Sequence, residues 1–119
     1  MISDETLRKT EHILKSKDFR AVYRKGRSFK RSGFVISVIP NNLTYNRLGF
    51  SISSSIIRNA VIRNRVRRLF REFYRKNKRI FKRAFDMVVI VRKCPQERFS
   101  YKETASIFMS LAKEAGILA

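Results

Sequence analysis

Asn59-Ala60-Val61-Ile62-Arg63-Asn64-Arg65-Val66-Arg67-Arg68-Leu69-Phe70-Arg71-Glu72-Phe73, continued to about Arg79, carries the longest helical period in the chain. Ile62, Val66, Leu69, Phe70 and Phe73 recur at i, i+4, i+7, i+8 and i+11, which draws one apolar stripe. At about 100° per residue, Asn64, Arg67, Arg68, Arg71 and Arg75 gather on the opposite face. Between Arg58 and Arg83 stand twelve Lys or Arg residues and a single acid, Glu72. A face made only for solubility mixes both signs so that i,i+4 pairs form, and this face does not. Arginine outnumbers lysine in the helix, as planar forks that engage phosphates require. The helix is therefore read as amphipathic: one side for a core, the other for a polyanion.

The flanking segments supply the surface on which such a helix rests. Gly33–Ile39 alternates, with Phe34, Ile36 and Val38 to one side and Val35, Ser37 and Ile39 to the other. After a Pro40-Asn41-Asn42 turn, Leu48, Phe50 and Ile52 alternate with Gly49, Ser51 and Ser53, so two antiparallel strands joined by a loop are expected. The second strand has one face of Gly and Ser only, which leaves room for something to lie on it. Arg27–Phe29 reads as a short edge strand. Downstream, Met87-Val88-Val89-Ile90-Val91, within Asp86–Val91, is a near-continuous apolar run, the pattern of a strand covered on both faces.

Two more helices close the pattern. Ser16–Gly26 has Ser16 to cap, Asp18 for the positive end and Gly26 to stop, with Phe19, Val22 and Tyr23 on one face. Ser100-Tyr101-Lys102-Glu103 is a capping box before a stripe of Ala105, Phe108, Leu111, Ala112 and Ala115, closed by Gly116. The order is helix, strands, long helix, strand, helix. It predicts one α+β domain over 1–119, a two-layer sandwich of a mixed four-stranded sheet and about three helices, with residues 1–12 loose.

Composition narrows the function. The chain has 119 residues, is 44% hydrophobic and carries a formal net charge of +19. That is too apolar for a disordered basic tail and so positive that self-repulsion costs stability unless a polyanion is the partner. The single cysteine, Cys94, excludes an intramolecular disulfide and, with the single histidine, His12, cannot close a zinc site. No apolar run reaches the roughly 18 residues of a membrane span, and Met1–Glu11 does not read as a signal peptide. A cytoplasmic protein with no membrane association and no obligate protein partner is expected. Neither a paired-carboxylate site nor a glycine-rich phosphate loop stands out, so any catalyst is expected to lie elsewhere. Phe19 and Tyr23 remain open between core anchors and a stacking platform for unpaired bases. Two rival classes, a general RNA-binding protein and a membrane-surface peptide, account less well for the basic face and its core-like stripe.

Ala60-Val61-Ile62-Arg63-Asn64-Arg65-Val66-Arg67-Arg68-Leu69-Phe70-Arg71-Glu72 resembles the signature of the bacterial ribonuclease P protein family. The resemblance extends to Asp18-Phe19, Tyr23-Arg24-Lys25-Gly26, Arg47–Ser53 and Phe85–Ile90. It implies a left-handed βαβ crossover that displays the basic helix. It implies that Arg63, Asn64, Arg65, Arg67, Arg68 and Arg71 face the ribonuclease P RNA subunit. It implies that Phe19, Tyr23, Val35 and Ser37, the last two as outward residues of the middle strand, border a cleft for the 5′ leader of precursor tRNA. No catalytic residue is implied in the protein: Mg2+, held mainly by the RNA subunit, would serve the hydrolysis. The family's distal metal-binding loop assigns no residue here. Two departures from the family pattern stand out: Ser54-Ser55 replaces a basic pair, with Arg58 close by, and the aromatic that relatives often place near Ser37 on this face has no match here.

Both Arg65 and Arg68 lie off the apolar stripe, so Arg65→Ala and Arg68→Ala are expected to keep the fold and weaken RNA binding. Neutralising around six phosphates gives a log–log slope of affinity on salt of about −4 to −5. Titration of the RNA subunit across chloride concentrations measures it, and a slope near zero would refute the electrostatic reading.

Overall fold

The computed structural model describes residues 9–13, 15–96 and 98–119. Its strands are β1 (Arg27–Arg31), β2 (Phe34–Pro40), β3 (Arg47–Ser51) and β4 (Phe85–Val91), and its helices α1 (Ser16–Lys25), α2 (Ala60–Lys76) and α3 (Tyr101–Ala115). The described residues form one sheet in the order β1-β2-β4-β3. β1 and β2 pair antiparallel around Ser32-Gly33, both at positive φ, the turn a two-residue hairpin needs. β4 runs antiparallel to β2 and parallel to β3. The α+β sandwich with a mixed four-stranded sheet and three helices is as expected.

One expectation is corrected. Phe34–Pro40 and Arg47–Ser51 run in opposite directions but are not partners, because β4 lies between them. That central position explains the apolar run: Met87, Val89 and Val91 enter the main core, whereas Val88 packs with Ile13 and Val22 on the other face. α2 and α3 cover the first face, where Val66, Phe70, Phe73 and Tyr74 meet Phe108, Leu111 and Ala112. Each such large apolar side chain contributes about 1.5–3 kcal/mol by leaving water. α1 lies on the opposite face.

The helix ends follow local chemistry. Asn59 caps α2, accepting a hydrogen bond from Val61 N–H at 2.8 Å, and Ser100 caps α3 by accepting from Glu103 N–H. Gly116 ends α3 at φ 73°, the left-handed stop that glycine allows. α2 ends at Lys76, before Arg79, and a 3-10 turn follows at Lys78–Ile80. At α1 the expected caps differ. Lys15 holds the cap position without a side-chain bond, Ser16 is already helical, and Gly26 is extended. Gly26 is required for closeness instead: a Cβ there would stand 2.4 Å from Val22 O and 2.9 Å from Val38 O.

Of the segment expected to be loose, residues 1–8 lie outside the described residues. Residues 9–12 are seated: a 3-10 turn spans Lys9–Glu11, and His12 bridges in parallel to Leu48 on the outer edge of β3. Glu11 is buried and paired with Lys78 at 2.8 Å. No described helix is long and apolar enough to cross a membrane.

Gly26→Ala must push α1 away from β2, so a loss of about 1–3 kcal/mol is expected, the usual range for overpacking. Urea unfolding measures it; an unchanged midpoint would contradict the close approach.

Candidate nucleic-acid interface

α2 reaches its place as the connection between two parallel strands, and its arginines differ in what they touch. Arg63 donates to the carbonyls of Ile57 at 2.8 Å and Arg58 at 3.0 Å, folding back over the entry to the helix. Arg65 donates to Phe99 O at 2.6 Å and so ties α2 to the segment before α3. Arg67 donates to Asn64 Oδ1 at 2.8 Å, and Asn64 is exposed. Arg68 is exposed, with no hydrogen bond or ion pair among the described residues. Arg71 departs furthest from expectation. It is half-buried, its guanidinium lies 5.2 Å from the centre of the Phe50 ring, and its Nε is buried with no acceptor. Burial first, and then Arg67 one turn away, lower its pKa from the ordinary arginine value.

The first turn of α2 contains no acid, so its positive end stays uncompensated beside Arg58 and Arg63. Glu72, the lone acid of the helix, pairs away from this end with Arg75 and Lys76.

The aromatic site lies against β3. Phe19 covers Gly49: a Cβ on Gly49 would stand 3.0 Å from two Phe19 ring carbons and 2.9 Å from Ile13 Cβ. The room on the small-residue face is thus taken at Gly49 by the chain's own Phe19. Tyr23, one turn on, has its ring centre 6.4 Å from that of Phe19 and is 48% exposed. Val35 and Ser37 lie on the α1 side of the sheet, as expected, yet they are not outward. Val35 is 9% exposed and Ser37 2%, the latter hydrogen-bonded to Ser28 at 2.6 Å. Their neighbours β1 and β4 flank them on both sides, which a pattern of alternation does not report.

α1 is fixed to the sheet by charge. Arg47 makes a bidentate pair with buried Asp86, at 2.8 and 2.6 Å, and reaches Asp18 of α1 at 3.4 Å. Asn41 donates to Asp86 as well, at 2.8 Å. The hydrogen bond to Asp86, chiefly, raises the Arg47 pKa above its ordinary value.

Two surfaces that look separate in the sequence meet at the outer edge of β3. A pocket of about 120 Å³ is lined by His12, Ile13, Phe19, Gly49, Arg67 and Arg71, with Leu48 and Phe50. His12 belongs to this site although no local pattern marks it; only the bridge to Leu48 brings it there. The described residues hold no cluster of three or more His, Cys, Asp or Glu side chains suited to a metal.

The family model for ribonuclease P matches residues 7–115. The chain belongs to the ribonuclease P protein family. It is 40% identical over 106 residues to the ribonuclease P protein component of Alkaliphilus metalliredigens, covering 89% of this chain and 94% of that one. It is 41% identical over 110 residues to that of Clostridium botulinum strain Langeland, covering 92% and 97%. The solved ribonuclease P protein of Staphylococcus aureus superposes with a TM-score of 0.81 at 30% identity, over 92% of this chain and 98% of that one. That of Thermotoga maritima superposes with a TM-score of 0.78 at 30% identity, over 87% and 96%. The ribonuclease P signature therefore sits on α2 in a chain that shares the fold of these relatives along most of its length.

The contacts divide two arginines that the sequence treats alike. Arg65→Ala leaves the Phe99 carbonyl without its donor and is expected to cost about 1–2 kcal/mol. Arg68→Ala should leave the melting temperature unchanged. Thermal unfolding of the two variants decides it; equal stability would mean that the Arg65 tie carries no weight.

Proposed function

We propose that this chain is the protein subunit of a cytoplasmic ribonuclease P holoenzyme. In this reading a catalytic RNA subunit, with Mg2+ held mainly by that RNA, removes the 5′ leader of precursor tRNA to give the mature 5′ end. The observation that carries the reading is the junction at β3, where the helix that exposes Tyr23 runs into the part of α2 whose Arg67, Arg68 and Arg71 pair with no acid among the described residues. Arg67, Arg68 and Asn64, on the exposed side of α2, are the groups for the RNA subunit's phosphates. Arg63 and Arg65 contribute charge from guanidiniums already committed to carbonyls, and Arg71 contributes from the pocket.

The leader is single-stranded, and a single strand is held by stacking plus phosphate contacts. Tyr23 is the ring available for a base, and Phe19, packed on Gly49, sets its distance from β3. Val35 and Ser37, being covered, contribute the floor and make no broad contact with bases. The protein supplies no group to the bond being cut. Its work is to add binding energy for the leader and to offset repulsion between two polyanions, which the RNA alone must meet with more Mg2+.

Two measurements test this. Adding the chain to a ribonuclease P RNA at low Mg2+ should restore cleavage of precursor tRNA; no gain would reject the subunit reading in favour of a general RNA binder. In the same holoenzyme Tyr23→Ala should lower precursor affinity relative to mature tRNA by about five- to a hundredfold, the worth of one stacked base. An unchanged ratio in folded variants of both Tyr23 and Phe19 would place the leader elsewhere.

A further inference from the structure

We propose that Asp18 and Arg47 are positioning residues for leader recognition: without touching RNA, they hold α1 at the angle over β3 that presents Tyr23 to a base of the leader. The inference rests on the reading that Tyr23 takes a leader base, and adds to it the residues on which that contact depends.

Two contacts join α1 to β3. Phe19 lies on Gly49, where a Cβ would stand 3.0 Å from its ring carbons. Asp18, its neighbour in the chain, accepts from Arg47 Nη1 at 3.4 Å. Arg47 and Gly49 are two residues apart in β3 and so lie on the same face, about 7 Å from each other. The contact at Phe19 is apolar and carries no direction, so by itself it lets α1 pivot on Gly49. Val22, packed with Ile13 and Val88, holds the helix down equally without direction. Among the described residues, the tie to Arg47 is the one hydrogen bond or ion pair that a side chain of α1 makes. It removes the pivot. Tyr23 sits on the lever, its ring centre 6.4 Å from that of Phe19, so any swing about Phe19 carries Tyr23 with it.

Arg47 is preset for this task. Its Nε and Nη2 are taken by buried Asp86 of β4, at 2.8 and 2.6 Å, and Asn41 donates to the same carboxylate. A guanidinium is a rigid plane, so fixing two of its nitrogens aims the third, Nη1, at Asp18. The charge of Asp18 points the same way. Residues 15–31 contain eight Lys or Arg, and Asp18 is their single acid. A carboxylate in such company opposes a polyanion, so by charge alone its removal would tighten RNA binding. If Asp18 sets the place of Tyr23, its removal weakens the leader contact instead.

Asp18 also has a local effect, since an acid in the first turn of α1 offsets the positive end of the helix dipole. The two effects separate. Any acid in that turn serves the dipole, whereas only one beside Arg47 serves the tie. Ser16 stands in the same turn and is exposed, about 160° round the helix from Asp18. An acid at Ser16 therefore supports the helix end and cannot reach Arg47.

The test measures the affinity of the holoenzyme for precursor and for mature tRNA, and the melting temperature of each full-length variant. Asp18→Asn keeps the size of the side chain and should lower the precursor-to-mature ratio by about two- to fivefold, the range of a partly exposed ion pair. In turnover the loss should appear in KM for precursor tRNA, with kcat unchanged. The double variant Ser16→Asp with Asp18→Asn should recover the melting temperature and not the ratio. In a Tyr23→Ala background, Asp18→Asn should lower the ratio no further, because both changes act through one ring. Arg47→Gln would strip buried Asp86 of its fork, so Asp18 is the side of the pair that tests position without testing the fold. A ratio that Asp18→Asn raises or leaves unchanged overturns the proposal. So does a loss confined to kcat, a ratio that Ser16→Asp restores, or an equal further loss on top of Tyr23→Ala. The wild type separates the two levels: no preference for the precursor removes the leader reading itself, whereas a preference that survives Asp18→Asn removes this proposal alone.

Discussion

The parallel ladder between Arg47–Ser51 and Phe85–Val91 is the constraint from which the rest follows. Adjacent parallel strands cannot be joined by a tight turn; the chain must cross from one end of the sheet to the other through an element of a dozen residues or more. Here that element is α2. The helix with the heaviest charge is therefore also the one that the sheet cannot do without, and its apolar stripe is held by Val66, Phe70, Phe73 and Tyr74 in the main core. A basic tail could also gather phosphates, but it would lose conformational entropy on binding. A crossover helix has met the backbone part of that cost in folding, so its arginines project from an ordered scaffold.

The same economy shows in β3, the edge strand to which both surfaces attach. Its inner face gives Leu48 and Phe50 to the core under α2, and Arg71 folds over Phe50. Its other face gives Gly49, whose missing side chain lets Phe19 lie on the backbone. One residue fewer or more in β3 would exchange the faces and part the aromatic helix from the basic one. Arg47 guards that register: its fork on Asp86 fixes β3 against β4, and its reach to Asp18 fixes α1 against both.

Much of this was legible. Helix 60–76 announced itself by its stripe, the central strand by an apolar run too continuous for a one-sided strand, and the family by the Arg-Asn-Arg core with its flanks. What the sequence concealed is what local pattern cannot carry. Two alternating segments separated by a loop look like hairpin partners, and nothing local says that a strand from far downstream inserts between them. Alternation assigns Val35 and Ser37 to a face but says nothing of what covers it. Helical angle puts Arg71 opposite the stripe, whereas a long flexible stem lets its head turn back onto Phe50. His12 enters the site by a bridge to a residue far along the chain, for which no spacing rule exists.

The acids complete the account of the charge. With nine Asp and Glu against 28 Lys and Arg, position matters more than number. Glu11 holds Lys78, Asp86 and Asp18 hold Arg47, and Glu72 holds Arg75 and Lys76 at the far end of α2. The pairs of Glu11, Asp18 and Asp86 fasten one element to another, whereas those of Glu72 stay within the last turns of α2. None of them reaches Arg67, Arg68 or Arg71. Scattering the same acids evenly would have eased self-repulsion everywhere and weakened the field at the groove. Holding Glu11, Asp18 and Asp86 on structural joints leaves the repulsion among Arg67, Arg68 and Arg71 without relief from these pairs. The free protein thus carries self-repulsion on this face of α2, which a bound polyanion would offset.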